Sequence, residues 1–146
     1  MKARYSVRQA SWNADQDALQ RIRLTVFVEE QGVPVELEWD GMDPDSVHFL
    51  AVESDGAAIG TVRLLPDGHI GRMAVLKPWR KQGVGHALLT RVLDYARARG
   101  DRKVMLNAQT TAVEFYRREG FAVIGNEFMD AGIPHLYMEK TFRDGS

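Results

Sequence analysis

The stretch from His69 to Asn107 constrains the fold more than any other part of the chain. It runs from an apolar strand pattern, HIGRMAVL, through the loop LKPWRKQG into a helical repeat from Val84 to about Arg99. It leaves in KVMLNA, a second short apolar run. Leu88, Leu89, Val92 and Tyr95 recur at the spacing of one helix face, and Gly100 follows as a C-terminal cap. A strand, a helix and a strand in that order predict a parallel strand pair with a right-handed crossover. A chain of 146 residues suits one domain around such a unit.

The flanking segments predict mostly antiparallel pairing. Alternation near Arg4–Gln9 marks a first strand. Leu19, Ile22, Val26 and Phe27 then share a helix face, with Asp15 as its cap and Gly32 as its stop. The segment VPVELEWDGMDPD carries two prolines and a glycine and predicts an irregular acidic loop. HFLAVES and AAIGTVRLLP flank an Asp55-Gly56 turn, and a second turn at Asp67-Gly68 adds the strand at His69. After KVMLNA come a short helix, TTAVEFYRRE, and two last strands, FAVIG and PHLYMEKTF. The predicted order is β-α-β-β-β-α-β-α-β-β. The fold class is α+β, a mixed and mostly antiparallel twisted sheet with a central parallel strand pair, flanked by helices.

Gly83 and Gly85 stand where the long helix begins, behind Arg80 and Lys81. A helix N-terminus presents unpaired N–H groups and partial positive charge, so bare main chain there suits a phosphate. The Walker pattern does not occur in the chain. The dinucleotide fingerprint fails because its third small position is Leu88.

The loop Arg80-Lys81-Gln82-Gly83-Val84-Gly85 resembles the Q/R-x-x-G-x-G/A loop of the GNAT acyltransferases, the Gcn5-related N-acetyltransferases. AQTTAVEFYRREGF, residues 108–121, resembles the family's N-x-x-A-x-x-x-Y-x-x-x-G-F segment. VFVEEQGVP, LNAQ and GIPHLYM are similar to the small ElaA-like branch. The resemblance covers nearly the whole chain and implies one N-acetyltransferase domain over residues 1–146. It implies acetyl-CoA as co-substrate, attack by a primary amine through a tetrahedral intermediate, and Tyr116 as general acid. By the same resemblance the pyrophosphate would meet Arg80, Lys81, Gln82, Gly83, Val84, Gly85 and His86. The pantetheine arm would pair with Met73, Ala74 and Val75. Gln109 stands where the family carries asparagine, and Asn107 is a second candidate for that contact. Ala112 and Phe115 complete the expected cofactor set. No general base stands out: Glu38, His48, Glu127 and His135 are the candidates.

Charge is unevenly spread although the net charge is −1. From Leu24 to Val62 there are nine acids and no Lys or Arg. That asymmetry predicts an acidic binding region, in which Glu36, Glu38, Asp40 and Asp43, with His48 and His135 nearby, hold a cationic amine. Trp39 would add a cation–π face. The acceptor is then a small-molecule or protein amine. Arg91, Arg97 and Arg99 lack the interleaved aromatics of a nucleic-acid surface. The four histidines are widely spaced and H-E-x-x-H is absent, so no metal is expected. Absent cysteines, signal peptide and membrane span predict a cytoplasmic protein with no membrane partner. The sheet edges can support a homodimer. Two alternative functions follow from the same features: a CoA-binding module without turnover, and an enzyme like the acyl-homoserine-lactone synthases, hinted at by Arg23, Phe27 and ELEWDGMD.

Overall fold

The computed structural model describes residues 4–142. Strands β1 (Tyr5–Ala10), β2 (Val47–Glu53), β3 (Ala58–Leu64) and β4 (Ile70–Val75) form an antiparallel sheet in sequential order. Strands β5 (Lys103–Gln109), β6 (Ala122–Val123), β7 (Phe128–Asp130) and β8 (Ile133–Thr141) form a second antiparallel unit, with β8 pairing with the other three. The α+β class holds, and the glycine turns fall where the sequence puts them.

Helix α1 (Trp12–Arg23) is capped by Ser11, whose hydroxyl accepts from the Ala14 amide. Asp15, the expected cap, instead accepts from the Ser11 amide and pairs with Arg8. The carboxylate closes the same turn from inside the helix, a reciprocal arrangement akin to a capping box. The helix continues as a wider π-helical stretch over Leu24–Glu30 and stops at Gly32, whose φ is +73°. The segment expected to be irregular contains a short helix, α2 (Val35–Glu38), and a 3-10 turn at Asp43–Asp45.

Helix α3 (Val84–Arg99) covers one face of the first sheet, where Phe49, Val62 and Leu64 meet Leu88, Leu89 and Val92. Helix α1 covers the other, through Leu19 and Ile22 against Leu50 and Ala74. Adjacent Phe49 and Leu50 point to opposite cores, as the two-residue period of a strand requires. Gly60 permits the close approach of α3: a Cβ there would lie 3.1 Å from Leu88 Cδ1 and 3.2 Å from the Ala74 carbonyl. Helix α4 (Val113–Arg118) follows β5 and packs Phe115 beside Gly85.

The central parallel pair is present but reduced. Its contact is a single parallel bridge, His69 to Met105, with the Met105 amide donating to the Gly68 carbonyl at 3.1 Å. Beyond that point β4 and β5 separate. The sequence pattern shows that both segments are strands. It does not show that β4 bulges: between the pairs Thr61–Ala74 and Arg63–Gly71 it carries one more residue than β3, and Arg72 there has φ +48°.

Candidate active site

The separation of β4 and β5 opens a cleft of about 390 Å³. Its walls are Ile70–Met73 of β4 and Leu106–Gln109 of β5. Phe27, Gln31 and Leu37 enter from the α1–α2 side, Ala112 and Tyr116 from α4, and Asp130, Ile133 and His135 from the β7–β8 hairpin. Met73, Asn107, Gln109, Ala112, Tyr116, Glu38 and His135, all singled out in the sequence, therefore meet at one cleft. Gln109 is held by Gln31, its amide nitrogen donating to the Gln31 carbonyl oxygen at 2.9 Å. Gln31, Arg72 and the hairpin tip escaped the sequence analysis. Only the GIPH string hinted at the last.

At the mouth of α3 the first turn carries no acidic residue and no side-chain cap. Gly83 adopts φ +85° and Lys81 φ +63°. Arg80 turns back onto β4: its Nε donates to the Val75 carbonyl at 2.8 Å and its Nη2 to Glu30 at 2.9 Å. Gln82 donates to the Pro78 carbonyl, and His86 pairs with Glu119. Val84 is buried in the α3 core, so only its main chain faces the loop. The two glycines have different physical reasons. A Cβ on Gly85 would sit 3.6 Å from Phe115 Cζ, an ordinary contact, whereas Gly83 occupies the left-handed region. Gly85→Ala is expected to leave stability unchanged or raise it by up to ~1 kcal/mol, and Gly83→Ala to lower it by ~1 kcal/mol. Urea denaturation of the two variants checks this.

Tyr116 is half-buried between Phe115 and Phe121, with ring centroids 5.1 and 5.8 Å away. Burial pushes its phenol up to about 12, so the hydroxyl keeps its proton at neutral pH. Among the described residues nothing hydrogen-bonds to that hydroxyl, and it is not sealed from solvent.

The expected open acid patch is replaced by an internal ion network. Arg23 donates to Glu38 at 2.6 Å and to Asp43 at 2.7 Å, and these side chains are 1%, 3% and 5% exposed. Arg63 reaches Asp40 at 2.8 Å and Asp43 at 3.2 Å. Arg72 lies 3.1 Å from Glu38 and donates to its backbone carbonyl at 3.0 Å. Burial alone would raise the Asp40 and Asp43 carboxyls, but the arginine hydrogen bonds and charges hold both below the usual range. His48 is buried, stacks on Trp12 and donates from Nε2 to the Asp43 carbonyl; desolvation keeps it neutral. Trp39 also finds its cation inside the protein, with the Arg23 guanidinium 5.2 Å from its ring centroid. Three arginines thus occupy three of the four carboxylates assigned to an amine, and the network ties the α1–α2 wall of the cleft to the β4 bulge. Of the other charges, Glu36 is exposed and Glu127 lies off the cleft walls.

A profile described as an acetyltransferase (GNAT) domain matches residues 14–142. The chain is a GNAT acetyltransferase. An N-acetyltransferase of Bacillus subtilis, YjcF, is 41% identical over 124 residues, covering 82% of this chain and 87% of that one. Among solved structures, an acyl-CoA N-acyltransferase from Pseudomonas aeruginosa superposes with a TM-score of 0.84 at 31% identity, covering 94% of this chain and 99% of the other. ElaA of Escherichia coli gives 0.83 at 27% identity, covering 93% and 99%. These likenesses place this GNAT domain in the ElaA-like branch. Among the described residues no helix is long and apolar enough to cross a membrane.

Proposed function

We propose that the protein transfers an acetyl group from acetyl-CoA to a primary amine, with Tyr116 as general acid. The carrying observation is the parting of β4 from β5, which leaves one main-chain edge of β4 open between an uncapped helix N-terminus and Tyr116. The fit to acetyl-CoA rests on chemistry. The free amides at residues 81–86 suit a diphosphate, and the open strand edge at Met73–Val75, apart from the Val75 carbonyl that Arg80 Nε occupies, suits the amides of the pantetheine arm. Asn107 and Gln109 offer amide groups on the facing wall, and Ala112 and Phe115 offer apolar contact. Acetyl-CoA supplies an activated acyl group. The chain's own residues position it, exclude water and hold a proton at Tyr116 Oη. Arg80 serves the site by bracing the end of β4 against Glu30, and Lys81 is the exposed cation left for the phosphates. The acceptor is a small-molecule or protein amine, and the cysteine-free chain suits the reducing cytoplasm.

Thiol release from acetyl-CoA over a panel of amines tests the activity, and calorimetric titration tests binding. Gly83→Val is expected to weaken acetyl-CoA binding by roughly tenfold or more, because a side chain enters the space above the helix amides and the backbone there is strained. Unaltered affinity in a folded variant would remove the glycine loop from the site.

A further inference from the structure

We infer that His135 is the base that takes the proton from the acceptor amine, and that Nε2 is the reacting atom. The inference rests on the acetyltransfer reading and supplies the half of the chemistry that reading lacks. Of the bases named from the sequence, the other three are engaged or misplaced. Glu38 sits between Arg23 and Arg72, His48 commits Nε2 to the Asp43 carbonyl off the cleft wall, and Glu127 does not line the cleft.

His135 differs in three respects. It opens into the cleft that also holds Tyr116. Its Nδ1 lies 2.7 Å from the Ile133 carbonyl oxygen, which can only accept, so Nδ1 carries the hydrogen. The neutral ring therefore has its lone pair on Nε2. Among the described residues no protein group hydrogen-bonds to that atom, and it is not sealed from solvent. The ring cannot easily turn away: it stacks on Phe128 with centroids 5.9 Å apart and planes 24° apart, and its residue is paired in register with Gln109 and Phe128. Local geometry thus fixes the tautomer, and the Phe128 stack restrains the plane of the ring. The same arrangement orients imidazoles elsewhere, where a hydrogen bond at one nitrogen sets the chemistry of the other.

The proton count closes. An amine arriving as R–NH3⁺ gives one proton to Nε2, which passes it to water. The freed lone pair forms the N–C bond to the acyl carbon. The C–S bond breaks with its electrons on sulfur, and sulfur takes the proton of Tyr116. The nitrogen's second proton returns to the Tyr116 oxygen, directly or through solvent, so the products are R–NH–acyl and a neutral thiol.

His135→Asn is the informative variant because an asparagine amide can still donate to the Ile133 carbonyl but has no basic nitrogen. With benzylamine, spermidine and a lysine peptide as acceptors, kcat/KM is expected to fall by about 10²–10⁴ while acetyl-CoA affinity stays within about twofold. Exogenous imidazole is expected to restore activity at least tenfold to His135→Ala, which a purely structural role would not allow. Independently of turnover, 15N NMR of the labelled ring is expected to show the Nδ1–H tautomer. An Nε2–H tautomer, or His135→Asn turning over within about threefold of an active wild type, overturns the assignment. A wild type that releases no thiol with any of these amines overturns acetyltransfer itself and the base with it, so the two failures are distinguishable.

Discussion

Arg23→Met is expected to destabilise the protein by about 3–5 kcal/mol, the cost of stranding buried charge when one partner of an ion pair is removed. For a domain of this size that corresponds to a fall in Tm of roughly 10–15 °C. Arg23 is the right target because it joins two carboxylates that are almost wholly buried, Glu38 and Asp43, and its guanidinium also lies against Trp12 and Trp39. Methionine fills much of the stem volume, so the loss reports the charge and its hydrogen bonds more than a cavity. The cost is expected to depend on pH. Asp43 and Asp40 have folded-state values below their unfolded ones, so their contribution is present above about pH 4 and is lost as pH falls through the folded values. In the variant, Asp43 keeps Arg63 but loses its closer partner, so protonating it relieves part of the cost of its burial. The gap between wild type and Arg23→Met should therefore narrow between pH 7 and pH 4. Urea denaturation at both pH values measures it, and a gap that is equal at both would place the damage in packing.

The same network shows where sequence stops being legible. The acid-only window from Leu24 to Val62 is plain in the sequence, and so are Arg23 and Arg63 at its two borders. What the sequence hides is that the chain folds those borders onto the window's own carboxylates. Asp40 and Arg63 are 23 residues apart, and Glu38 and Arg72 are 34 apart. Nothing local distinguishes a carboxylate waiting for a ligand from one already held by a distant arginine. Burial decides it, and burial is a tertiary property.

The elements behind the site were easier to read. Helical periodicity over Val84–Arg99 and the glycines before it are local signals, and the structure keeps them almost unshifted. The cleft has no such signal. It exists because β4 and β5 meet at one bridge and then diverge, with a bulge at Arg72 turning that side chain back to Glu38. A strand's side-chain pattern says that it pairs and which face is apolar. It does not say how far along its length the pairing lasts. His135 shows the same limit: its residue type was visible, but its tautomer depends on a carbonyl two residues away and on a stacked Phe128.

Tyr116→Phe is expected to lower kcat by about 10²–10⁴ with little change in acetyl-CoA affinity. The aromatic ring is what holds this residue, through Phe115 and Phe121, and the variant keeps the ring. Among the described residues the hydroxyl has no partner to be stranded, so stability is expected to stay within about 1 kcal/mol of wild type. The raised phenol value, about 12, sets how the acid must work. A buried phenolate is costly, and a free thiol is normally the stronger acid, near ~8.5. Full transfer from Tyr116 to sulfur would therefore run uphill if the phenolate had to stand alone. It becomes feasible when the proton leaving nitrogen refills the phenol as sulfur takes its own. Two consequences follow. The wild-type rate should show no alkaline decline from Tyr116 below about pH 10, since the hydroxyl stays protonated. The Phe variant should also recover when sulfur needs less help, so an acyl donor with a more acidic thiol than CoA should narrow the deficit. Steady-state rates with acetyl-CoA and with such a thioester, beside calorimetric binding of acetyl-CoA, measure both. A deficit of the same size for both donors would mean that the hydroxyl positions the acyl group and gives no proton.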